Sequence, residues 1–159
     1  MKRVVAGLCA CLLLTACGSE DAEAPLKEQV AEAVTSSSPT FSPKDVAPIK
    51  VADITKPEID PGLNIKVDIL GTGSNPMASG SVIYLLVTNL NDVALPPEAL
   101  KVFLDGASPV QEGSTPLDLP LGPGASVNID LAFDASYGSL YQGRLTVGNL
   151  VFEGNLNNA

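Results

Sequence analysis

The chain has 159 residues, a net charge of −9, and neither histidine nor tryptophan. The acidic excess excludes nucleic acid as a partner, because phosphate repels such a surface. Without imidazole, the usual general base near neutral pH and the commonest transition-metal ligand are both missing. Met77 is the only methionine after the first residue, which leaves a copper carrier without its soft ligands.

Met1-Lys2-Arg3 is a short basic start, and Val4 to Leu14 is an apolar run of 11 residues. A membrane-spanning helix needs about 20 residues, so the run is too short to cross. It has the length of a signal-peptide core. Leu14-Thr15-Ala16-Cys17 resembles a bacterial lipobox, in which the cysteine is acylated on sulfur and becomes the first mature residue. The resemblance implies a lipoprotein signal peptide over 1–16, lipid on Cys17 and an extracytoplasmic, membrane-anchored protein. Each buried methylene of such a lipid adds about 0.8 kcal/mol. Gly18, rather than an acidic residue, follows the cysteine. That points to the outer membrane of a diderm host, or to the outer leaflet of the plasma membrane in a monoderm. Cys9 and Cys11 would leave with the signal, so no disulfide is expected. Loss of Lys2 and Arg3 takes the net charge from −9 to −11.

Residues 17–45 read as an acidic tether. "GSEDAEAP" and "TSSSPTFSPK" offer too little apolar surface to fold alone. Between them, Leu26, Val30 and Ala33 or Val34 share a face at helical spacing after Pro25, either as a nascent turn in a spacer or as a docking helix.

Period-two patterning governs 46–159. Val51 and its neighbours form a weak first strand. "LNIKVDIL" places Leu63, Ile65, Val67 and Ile69 on one face. "SVIYLLVTN" is apolar on both faces from Val82 to Val87, as expected of a central strand covered on two sides. "LKVFLDG" adds Leu100, Val102 and Leu104, closed by Asp105-Gly106. "PLDLPLGPG" adds Leu117, Leu119 and Leu121, and Pro116 and Pro120 assign it to an edge. "SVNIDLAF" turns Val127, Ile129, Leu131 and Phe133 inward, and "RLTVGNLVFEGNL" is a final hairpin about Gly148-Asn149. The expectation is an all-β antiparallel sandwich of about 7–8 strands.

Three motifs sharpen it: "SVIYLLVTNLND", "LKVFLDG" and "LGPGASVNIDLAFD". With them, Ser79 to Phe152 resembles a family of immunoglobulin-like extracytoplasmic domains on bacterial lipoproteins, which includes the mycobacterial secreted immunoprotective antigen. The resemblance implies an immunoglobulin-like sandwich and brings no catalytic residue.

The chemistry on offer is sparse. A nucleophile needs a neighbouring base, and the chain has no histidine and no Gly-x-Ser-x-Gly. Asp130 and Asp134, four apart on a strand, would stand about 13 Å from each other, too far for a glycosidase pair. No enzyme, cofactor or metal is expected. Asn89, Asn91, Asp92 and Asp105 offer oxygen ligands for calcium, but they also suit turns. "DASYGSLYQGR" sets Tyr137 and Tyr141 among serine and glycine, as binding loops do. They are the candidate contact residues for a protein or glycan of the envelope. Tyr141 as a core cap with Tyr137 at the surface is the plainer alternative. The expected function is therefore a lipid-anchored, non-catalytic binding module or accessory subunit of an envelope complex. Small-ligand or calcium binding is the rival, and a surface spacer or antigen the third reading.

Overall fold

The computed structural model describes residues 39–159. Cys17, the signal-like segment and residues 17–38 of the tether lie outside them. Among the described residues, nine strands form two packed sheets. They are β1 (Ile49–Lys50), β2 (Glu58–Asp60), β3 (Ile65–Ser74), β4 (Ser81–Asn89), β5 (Val102–Leu104), β6 (Pro109–Thr115), β7 (Ser126–Phe133), β8 (Gly143–Val147) and β9 (Leu150–Gly154). One sheet runs β2-β3-β4-β7-β6 and the other β1-β9-β8-β5.

The topology is immunoglobulin-like. β3-β4-β7-β6 corresponds to the A-B-E-D sheet of a constant-type domain, and β5-β8-β9 to C-F-G. Two short additions raise the count to nine. β2 extends the first sheet beside β3, and β1 lies parallel to β9, the one parallel pairing in an otherwise antiparallel sandwich. The folded contacts start before the first strand. Phe41 packs against the core, and the Lys44 N–H donates to the Gly62 carbonyl.

Leu63, Ile65, Val67 and Ile69 are all buried, as their alternation requires. They pack with Ile83, Leu85 and Val87 of β4 and with Leu145, Val147, Leu150 and Phe152 of the opposite sheet. The Gly148-Asn149 hairpin forms where expected, with Gly148 at φ +59°.

Three expectations need correction. β4 is the middle strand of its sheet, but its outer face is covered at one end only. Val82 and its neighbour Ala132 on β7 are buried there, whereas further along that face Tyr84 and Leu86 are half-buried, opposite in sense to fully buried Leu85. The edge strand is Pro109–Thr115, not 116–121. Pro116 and Pro120 lack the N–H a ladder needs, Leu119 is 70% exposed, and only Leu121 pairs, through an isolated bridge to Leu95. β3 runs on through Gly71–Ser74 after a register shift at Leu70, where glycines hide the alternation.

At one end of the sandwich, fully buried Asp60 ties the sheets together. One carboxylate oxygen accepts from the N–H groups of Gly62 (2.7 Å) and Leu63 (3.1 Å). The other accepts from the Asn149 N–H (2.7 Å), and the Asn149 amide reaches both. The hairpin can approach because residue 148 is glycine. A Cβ there would collide with the Asp60 carboxylate and the Leu63 side chain.

Two stability predictions follow from burial. Asp60→Asn turns an acceptor into a donor facing N–H groups and should lower stability by at least about 2 kcal/mol in urea unfolding; an unchanged midpoint would show that the clasp carries no energy. Leu85→Ala should cost about 2–5 kcal/mol, and Leu86→Ala less than half the loss at Leu85. Equal losses would contradict the face assignment.

Candidate functional site

The two candidate tyrosines lie on a short 3-10 helix, Tyr137–Gln142, that carries the chain from β7 to β8. Ser136 starts it in extended conformation. Its hydroxyl accepts from the Ser139 N–H, and the Ser139 hydroxyl donates to the Ser136 carbonyl at 2.6 Å. Leu140 is buried in the core and pins the element. From the side, the Asn157 amide donates to the Tyr137 carbonyl (3.1 Å), and the Thr72 hydroxyl holds Asn157 (2.6 Å). The Ser81 hydroxyl donates to the Ala135 carbonyl (2.9 Å) just before the turn.

On this pinned turn Tyr137 is 40% and Tyr141 58% exposed. Tyr141 therefore does not cap the core; Leu140 does. The third tyrosine, Tyr84, lies half-buried on β4 and packs over Gly73. The turn thus presents two phenol rings on backbone held by serine and asparagine side chains. That arrangement suits contact by ring faces and hydroxyls.

The four oxygen-rich residues considered for calcium do not converge: Asn89, Asn91 and Asp92 lie at the end opposite the tyrosine turn, and Asp105 lies near it. The Asn89 amide nitrogen is shared among the carbonyls of Val93, Leu121 and Gly122, and its oxygen accepts from the N–H and amide of Asn91. Asn91 in turn donates to the Leu63 and Asn64 carbonyls. Both side chains are spent on holding loops. Asp92 is exposed, and Asp105 sits in the β5–β6 turn beside Arg144 (3.6 Å). Among the described residues no three or more Asp, Glu, His or Cys are grouped to hold a metal. Asp134 accepts from the Ser108 N–H, while Asp130 faces Tyr84 across the sheet.

Composition and spacing carry no sign of a cleft at the β6 edge. It measures about 510 Å³ and is lined by Pro109, Val110, Gln111, Ser114, Pro116 and Leu131. It exists because β6 leaves its ladder between Val110 and Thr115. The Ser114 hydroxyl bridges the gap, accepting from the Ala132 N–H and donating to the Val110 carbonyl. The Asn75 amide holds the bulge by the Glu112 carbonyl (2.8 Å). Gly113, at φ +85°, makes the bend, and it is the one mark of this bulge in the sequence.

A few surface charges are locally paired. Lys50 and Arg144 flank Glu153 on the outer face of the four-stranded sheet, and they hold its carboxyl below the usual range, Lys50 most. In the loop before β2, the Lys56 ammonium (2.6 Å) and then the Thr55 hydroxyl (2.6 Å) lower the Asp53 carboxyl to about 2. The pairing favours the charged carboxylate in the folded state. Its contribution is present above the ordinary carboxyl range and is lost as pH falls toward 2. NMR titration should place Asp53 near pH 2, and Lys56→Gln should raise the midpoint. A midpoint that ignores Lys56→Gln would remove the lysine as the main cause.

Compared with protein-family models, with curated proteins and with solved structures, the chain matches none.

Proposed function

We propose that this is a lipid-anchored protein of the cell envelope whose β-sandwich binds a protein or glycan partner without catalysis, alone or as an accessory subunit of an envelope complex. The observation that carries the binding role is the pair of exposed rings, Tyr137 and Tyr141, on a turn fixed from beneath by Leu140 and from the side by Asn157. An aromatic anchor on fixed backbone loses little freedom on binding, and tyrosine is enriched among the residues that dominate interface energy. The anchoring role is supported by Leu14-Thr15-Ala16-Cys17 behind a short apolar run. Lipid on Cys17 would hold the domain at the membrane face, and an acidic surface would keep it off anionic headgroups.

Cross-linking in the native cells, followed by pull-down, tests both parts. Tyr137→Ala with Tyr141→Ala should weaken partner capture about thirtyfold, the equivalent of losing one strong anchor of about 2 kcal/mol. The thermal midpoint should barely move, since neither ring is buried. Undiminished capture by the folded double variant would rule this site out. Cys17→Ser should release the protein from the membrane fraction, and mass spectrometry showing an unmodified Cys17 in membrane-bound protein would refute the anchor.

A further inference from the structure

The cleft at the β6 edge stands apart from the tyrosine turn. We infer that it binds a single neutral aliphatic chain, such as that of a long-chain alcohol or an acylglycerol. Leu131 makes the case. It lies opposite Ile83 on the inward face of its sheet, and Ile83 is fully buried while Leu131 is only half-buried. The difference arises because β5 is three residues long and β6 bulges away, so the edge of the sandwich does not close over the core. A smaller compartment of about 130 Å³ shares Pro109, Ser114 and Leu131 with the cleft and continues inward to Val102, Ile129 and Phe133. An apolar occupant would complete the core at this point. The outer cleft of about 510 Å³ falls within the roughly 300–1,000 Å³ of small-ligand sites.

The lining selects the class of ligand. No charged side chain lines either compartment. The Ser114 hydroxyl is already spent on Val110 and Ala132, which leaves Gln111 as the only uncommitted polar side chain. Charge then decides against an anionic head. Lys101 and Arg144, the latter beside Asp105, bound a stretch that has no lysine or arginine of its own, while Glu112, Asp118, Asp130 and Asp134 fall within it. Glu112 lies in the bulge itself, and Asp134 holds the Ser108 N–H next to Pro109. A fatty-acid carboxylate would meet these carboxylates and find no cation in either lining; an uncharged head would not be repelled.

Photo-labelling of the full-length protein with dodecanol bearing a diazirine, read by peptide mapping, tests this. Label should reach peptides within 107–134 saturably, and dodecanol should compete it away where dodecanoate does not. Val110→Trp fills the cleft and should cut that label about tenfold, as loss of a few buried methylene contacts would. If Val110→Trp does not fold, Gln111→Trp at the exposed rim serves the same purpose. No label within 107–134, label that survives both tryptophans in folded protein, or equal competition by dodecanoate would each overturn the proposal.

Discussion

The Asp60 carboxylate is the tie on which the packing of the two sheets depends at one end of the sandwich. It ends β2, the outermost strand of one sheet, and it grips the hairpin turn of the other. Residues 39–159 contain no cysteine, so no disulfide can do this. A buried carboxylate is tolerable only when donors replace its water, and here backbone and amide N–H groups occupy both oxygens. The demand propagates outward. Residue 148 must be glycine for the turn to approach, and the same turn sets the register of β8 against β9, hence which of their side chains enter the core.

The edges follow a second constraint, because an uncovered strand invites pairing with another chain. β1 has two residues and follows Pro48. β2 has three and lies between Pro57 and Pro61. β5 has three, and β6 begins at Pro109, is broken by its bulge and stops before Pro116. Edges this short or interrupted are poor templates for strand addition, which leaves loops and clefts as the surfaces for recognition. The interruption that protects β6 is also what uncovers Leu131. One local device thus serves edge protection and creates the cleft.

Legibility differed from place to place for physical reasons. The alternation from Leu63 to Ile69 was plain because one face of that strand is dry and the other wet. The final hairpin was plain because a two-residue turn is a local event, settled by Gly148 and Asn149. β6 was not legible: "PVQEGST" has no alternation, since an edge strand with a bulge buries neither face fully. "PLDLPL" alternates convincingly, yet its prolines cannot pair, so the leucines do not share a face. The candidate rings were found from composition, but their exposure was not, because it is Leu140 that takes the core position between them.

By itself the sequence determined the sandwich class, the inward set of the long strands and the chemistry that lacks imidazole, because side-chain period and residue type are properties of each segment alone. Tertiary structure decided the rest. Which strands pair depends on partners distant in the chain, and so does the fate of each polar residue. Asp60 is buried rather than exposed because Asn149 arrives 89 residues later with matching donors. Asn89 serves the fold rather than a ligand because Leu121 and Gly122 come within reach of its amide. Leu131 is left half-open because the neighbouring strand departs. A turn-forming residue looks the same in either role until its neighbours are in place, since burial and hydrogen bonding are properties of the assembled contacts and not of the residue.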